Sequence, residues 1–142
     1  MTVRAVLNSK GHDVAMIAPD ATASEAVRML AQMRIGALLV MSRQEIHGIL
    51  SERDIVRELA ARGADMLDDP VSTVMTRKVV HCSSNDTIAS IMEVMTTGKF
   101  RHLPVIDAGR LSGLISIGDV VKWRVREFEK EQEAMRDYIA TA

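Results

Sequence analysis

The chain has 142 residues, 47% of them hydrophobic and 26% charged, with a net charge of -1 and only 3% aromatic residues. This length buries roughly two thirds of the unfolded surface as one domain's worth of core, while interleaved charges and so few rings exclude the basic, stacking surface of a nucleic-acid binder. The single Cys82 excludes an internal disulfide, the four histidines lack zinc-type spacing, and neither a signal-peptide run at MTVRAVLNSKGHDV nor an 18-residue apolar stretch is present, so a cytoplasmic protein without metal or membrane partner is expected.

In chain order, VAMIA at 14–18 is short, apolar and β-branched, and predicts a strand. Thr22 with Glu25 three residues on has capping-box spacing, and Ala26, Met29, Leu30 and Met33 follow at helical intervals. GALLVM and EIHGIL predict two strands, and IVRELAARG a helix ended by Gly63. GADMLDDP at 63–70 reads as a linker. The order then returns: a strand at VVHCS (79–83), a helix from Thr87 carrying Ile88, Ile91, Met92 and Met95 and stopped by Gly98, strands HLPVI and RLSGLI joined by an Asp107-Ala108-Gly109 turn, and a helix from DVVKWRVREFEK onward.

The return is a duplication. Residues 14–57 laid on 79–122 at a constant offset give the identities Val14/Val79, Thr22/Thr87, Leu38/Leu103, Val40/Val105, Gly48/Gly113, Ser51/Ser116, Asp54/Asp119 and Val56/Val121. Half of these fall in GILSERDIV and GLISIGDVV, which share Gly-x-x-Ser-x-x-Asp. Ahead of the halves, VRAVLNSK at 3–10 matches VSTVMTRK at 71–78 if Gly11, His12 and Asp13 are an insertion. The fold class is thus α/β (α+β) with the order βαββα twice: repeat 1 at 1–62, a linker at 63–70, repeat 2 at 71–122 and an amphipathic C-terminal helix at 123–142. Function is expected at the seam between halves.

The doubled Gly-x-x-Ser-x-x-Asp, the Arg101-His102-Leu103-Pro104-Val105 strand and the Val-x-x-Val-Met-Thr segment at 71–76 together resemble the CBS (cystathionine beta-synthase) domain, over nearly the whole chain. The resemblance implies a stand-alone Bateman module, two repeats packed about a pseudo-twofold axis with two clefts that take AMP, ADP, ATP, S-adenosylmethionine or NAD(H). It also implies phosphate contacts from Arg101 and from the residue before the motif Asp, here Arg53 and Gly118.

Chemistry at the motif can be argued independently. A carboxylate accepts from both hydroxyls of a ribose, which makes Asp54 and Asp119 candidate ribose holders. Ser51 and Ser116, where strand gives way to helix, offer hydroxyl and backbone N–H to phosphate, and the resemblance adds Arg101, His102 and Arg53 as further phosphate candidates. The strands with Val14, Ile17, Val79, Val80 and Cys82, together with Pro104, supply an apolar adenine pocket. Equally, Ser-x-x-Asp ahead of an apolar run is a helix cap, and the two roles can coexist. The halves differ, since the first has Gly36, Ala37 and Leu39 where the second has Arg101, His102 and Pro104.

His81 and Cys82 alternate across a strand and cannot act as base and nucleophile, no phosphate-binding glycine loop has the right spacing, and no catalytic residues are assigned. The expected function is a non-catalytic adenine-nucleotide sensor acting on an unknown effector protein. The alternative is a ligand-free structural or interaction dimer. Val121, Val125, Phe128, Gln132, Met135 and Ile139 form a heptad seam with one polar position, which favours a homodimer with this helix at or near the interface.

Overall fold

The structure is a computed structural model that describes residues 1–141. Its elements run α1 (Val3–Lys10), β1 (Met16–Ile17), α2 (Ala23–Met33), β2 (Ala37–Ser42), β3 (Glu45–Ser51), α3 (Glu52–Arg62), a 3-10 turn (Gly63–Asp68), α4 (Val71–Val74), α5 (Ile88–Gly98), β4 (His102–Asp107), β5 (Arg110–Ser116) and α6 (Ile117–Thr141). Thr22 and Thr87 cap α2 and α5, each hydroxyl accepting from the backbone N–H three residues on. The mixed α/β class with two repeats and a terminal helix is the expected one.

The chain divides into two compact units that cut across the repeats. One is Asp13–Val79, and the other joins Met1–His12 to the chain from Val80 on. Each repeat's leading segment therefore belongs with the other repeat's sheet: α4 packs with β3, α2 and α3 in the first unit, and α1 with β5 in the second.

In the unit Asp13–Val79, β1 pairs parallel with β2 and β2 antiparallel with β3. Its core holds Ile17, Ala23, Ala26, Leu30, Leu38, Val40, Leu50 and Ile55, with Val71 and Val74 from α4. The other unit has, at the same repeat positions, Cys82, Ile88, Ile91, Met95, Leu103, Val105, Ile115 and Val120, with Val3 and Val6 from α1. The two cores are equivalent position by position although only a minority of the residues are identical. Where the second core has Ile88 and Ile91, the first has Ala23 and Ala26, and the fully buried Met66 of the 3-10 turn joins that core against α2. Both sheets carry an irregularity at the same place, between Val40 and Met41 and between Val105 and Ile106.

Three expectations need correction. The strand expected at 79–83 is only a single parallel bridge, Cys82 with Val105, and that at 14–18 is Met16–Ile17 alone. In the second unit the chain is pulled out of the sheet after Cys82, because the Ser83 N–H donates to Asp86 and the Ser84 N–H and hydroxyl donate to Asp107. Gly98, expected to end its helix, is the last residue within it, and Lys99 takes the left-handed turn at φ 58°. A side chain at Gly98 would overlap the Phe100 ring, so close packing rather than a positive φ requires glycine there.

Candidate functional site

Each motif lies where the last strand of its sheet turns into a helix. In the unit Asp13–Val79 the turn is closed by the Glu52 N–H donating to the Gly36 carbonyl (3.0 Å), and in the other by the Ile117 N–H donating to that of Arg101 (2.8 Å). The motif glycines face the exchanged leading segments. A Cβ at Gly48 would come 2.6 Å from the Thr76 carbonyl oxygen and 2.8 Å from Met75 Sδ, and one at Gly113 would come 2.8 Å from Leu7 Cδ2. Leu7 and Met75 are matching residues of the two leading segments, so the glycine lets that segment lie against the strand.

The two aspartates have different surroundings. Asp54 is 3% exposed. Its Oδ2 accepts from the Ser51 N–H (2.9 Å) and hydroxyl (3.1 Å), and its Oδ1 from Arg57 (2.9 Å) and the Thr76 hydroxyl (3.0 Å). The Ser51 Oγ accepts from the Asp54 N–H in return, completing a reciprocal capping box. Both carboxylate oxygens are thus committed to the fold.

Asp119 keeps a side chain that is 21% exposed. Its Oδ2 accepts from the Ser116 N–H (2.9 Å) and from Lys10 Nζ (2.6 Å), while Lys10 also donates to the Leu114 carbonyl (2.9 Å). The Ser116 Oγ accepts from the Asp119 N–H at 3.1 Å. Among the described residues these bonds to the carboxylate fall on Oδ2 and leave Oδ1 as an acceptor. Burial alone would raise the Asp119 carboxyl, but the Lys10 ammonium and the Ser116 N–H outweigh it and hold the group below the usual carboxylate range.

The remaining candidates are distributed as follows. His102 opens β4 opposite Ser116, half-buried, which places it beside the second motif. Arg101 precedes it and is exposed, as is Arg53 in the first turn of α3. Ile17 and Cys82 are packed into their cores, and Pro104 is buried in β4. Burial first, then Asp86 and Asp107, push the Cys82 thiol up to about 12. Val14, Val79 and Val80 are half-buried and retain accessible surface. Lys10 and Thr76, which touch the motif aspartates, were not among the sequence candidates. The match of 3–10 to 71–78 points to these segments but not to which motif each one meets. Among the described residues no group of three His, Cys, Asp or Glu side chains is placed to hold a metal, and no helix is long and apolar enough to cross a membrane.

Comparison with known proteins accords with this geometry. The CBS domain family model matches residues 3–61 and 71–126. A mitochondrial CBS domain-containing protein of Arabidopsis thaliana, CBSX3, is 31% identical over 97% of this chain and 71% of its own length. The crystal structure of the CBS-domain protein ATU1752 from Agrobacterium tumefaciens is 46% identical, with a TM-score of 0.85 over 87% of this chain and 99% of that one. The CBS domain pair of protein MJ0100, solved with 5′-methylthioadenosine and S-adenosyl-L-methionine, shares the fold with a TM-score of 0.77 at 19% identity over 89% of this chain and 98% of that one. The chain belongs to the CBS domain family and carries two copies of the domain.

Proposed function

We propose that this protein is a non-catalytic regulatory module that binds an adenosine-containing ligand such as AMP, ADP, ATP or NAD(H), and that Asp119 is its ribose acceptor. The observation that carries the reading is the half-used Asp119 carboxylate at the strand–helix junction of a CBS domain. A ribose diol needs a carboxylate with a free oxygen. Asp119 has one, whereas a diol at Asp54 would have to displace four internal hydrogen bonds. Lys10, bonded to Asp119, is a cation beside the Ser116 hydroxyl and the first turn of α6, where phosphate is electrostatically favoured. His102 and Arg101 border the same junction. The adenosine ligands of MJ0100 support the class of ligand by analogy of fold.

Calorimetric titration of the native protein with adenosine, AMP, ATP, NAD(H) and S-adenosylmethionine tests this. Asp119→Ala should weaken the ligand that binds by about 1.5–3 kcal/mol, the usual worth of charge-assisted hydrogen bonds, with the fold intact. Asp54→Asn should lower stability instead. Native protein that binds none of these compounds would leave the interaction-module reading, and unchanged affinity in Asp119→Ala would remove Asp119 from the site.

A further inference from the structure

Helix α6 has two faces with different fates. Val120 is buried and Trp123 packs on the core of its unit. At 100° per residue, these two lie roughly 100–160° around the helix from a second stripe, Val121, Val125, Phe128, Gln132, Met135 and Ile139. Along that stripe Val125 is 50% exposed, Phe128 59%, Met135 62% and Ile139 69%. Spacings of four and three along the stripe define the a and d positions of a heptad seam, with Gln132 at an a position.

The charges beside the stripe decide what covers it. Arg124 and Glu131 occupy g positions on one flank, and Lys122, Glu129 and Arg136 occupy e positions on the other. In a parallel pair each g position faces the e position five residues on in the second helix. Arg124 then meets Glu129 of the second copy, and Glu131 meets Arg136 of the second copy, each twice by symmetry. An antiparallel pair that matched the same apolar layers would oppose Glu129 to Glu129, Glu131 to Glu131 and Lys122 to Arg136. Every flanking contact is attractive in the first arrangement and nearly every one repulsive in the second. We infer that α6 pairs with α6 of a second copy of this chain as a parallel two-stranded coiled coil from Val121 to Ile139.

Gln132 supports the same register. In the parallel pair it meets Gln132 of the second copy, where two amides satisfy each other, whereas any shift places it against an apolar layer. An open depression on this face, lined by Arg124, Val125, Phe128 and Glu131, is the kind of hole into which an apolar knob of a second helix seats. The pairing requires nothing of the ligand site, so it stands or falls independently of the proposed function.

The test uses the full chain with Ile139→Cys, the native Cys82 being buried. Mild oxidation should give a disulfide-linked dimer. Adding Glu129→Lys and Glu131→Lys makes all four flanking pairs repulsive, and cross-linking at low salt should fall about tenfold or more. Mixing that chain with one carrying Arg124→Glu, Arg136→Glu and Ile139→Cys should restore it as a heterodimer. By sedimentation the native chain should be a dimer that Phe128→Glu with Met135→Glu weakens at least as strongly. These residues lie outside the cores, so both variants should fold. Absence of the Ile139→Cys cross-link, cross-linking indifferent to charge reversal, or preferential joining of Ile139→Cys chains to Val121→Cys chains, as antiparallel helices require, would overturn the pairing.

Discussion

Two residues at equivalent positions do different work because of what the chain brings to them. Asp54 meets the Thr76 hydroxyl and is buried, and Asp119 meets Lys10 and stays half-open. The Lys10–Asp119 pair is partly exposed, so it should contribute only about 0.2–1 kcal/mol. Because the Asp119 carboxyl is depressed in the fold, that contribution is fully present above its unfolded value of about 3.9 and is lost as pH falls through the lower folded value. Lys10→Met should therefore lower the melting temperature at pH 7 and converge on the native protein only as the pH is taken well below about 3.9, through the lowered folded value. Parallel melting curves across that range would mean that Lys10 acts by packing. A second residue-scale expectation concerns the β2–β3 turn, where Arg43 and Gln44 both hold positive φ, 51° and 65°. The matching β4–β5 turn places Gly109 at its second such position, as left-handed hairpin turns prefer. Relieving the left-handed penalty of about 1–2 kcal/mol against a glycine entropy cost of about 0.5–1 kcal/mol, Gln44→Gly should stabilise the protein by up to about 1 kcal/mol, read as a rise of a few degrees in Tm. A fall in Tm would show that the Gln44 side chain stabilises the turn by more than its backbone costs.

At the scale of elements, the caps and both hairpins were legible because their determinants are local: Thr22, Thr87 and Ser51 are followed at three residues by the N–H they cap, and short apolar segments mark β2 to β5. The end of the strand expected at 79–83 was not, because Asp107, distant in sequence, captures Ser83 and Ser84 and draws the chain off the sheet edge after Cys82. The burden on the motif glycines was hidden for a similar reason, since the atoms that exclude a side chain belong to α1 and to the residues just after α4. At Gly48 those atoms include a backbone carbonyl, Thr76 O, that already accepts from the Ile49 N–H at 3.0 Å and cannot move without breaking that bond. At Gly113 they are the terminal methyls of Leu7, which can turn aside. Gly48→Ala should then cost about 1–3 kcal/mol of stability by overpacking, and Gly113→Ala less. Chemical denaturation of the two variants checks the order, and equal losses would mean that Leu7 is as rigidly held as the backbone.

For the whole molecule, the sequence offset identified two repeats and the equivalence of 3–10 with 71–78, but not where those leading segments go. Periodicity reports which face of a segment is apolar and is silent on which sheet receives it. In the structure Val3, Val6 and Leu7 of α1 are wholly buried in the unit built from the second repeat, far along the chain, while Val71 and Val74 serve the unit built from the first. The same exchange brings Lys10 to Asp119 and Thr76 to Asp54, so the difference between the two candidate sites follows from it. An exchange of this kind predicts a stability defect remote in sequence from its cause. Leu7→Ala removes a fully buried side chain and should cost about 2–5 kcal/mol. Native-state hydrogen exchange should locate that loss in α5, β4 and β5, whose core Leu7 completes, while amides of α2, β2 and β3 keep more of their protection. Loss concentrated instead between residues 14 and 62 would place α1 with its own repeat and exclude the exchanged arrangement.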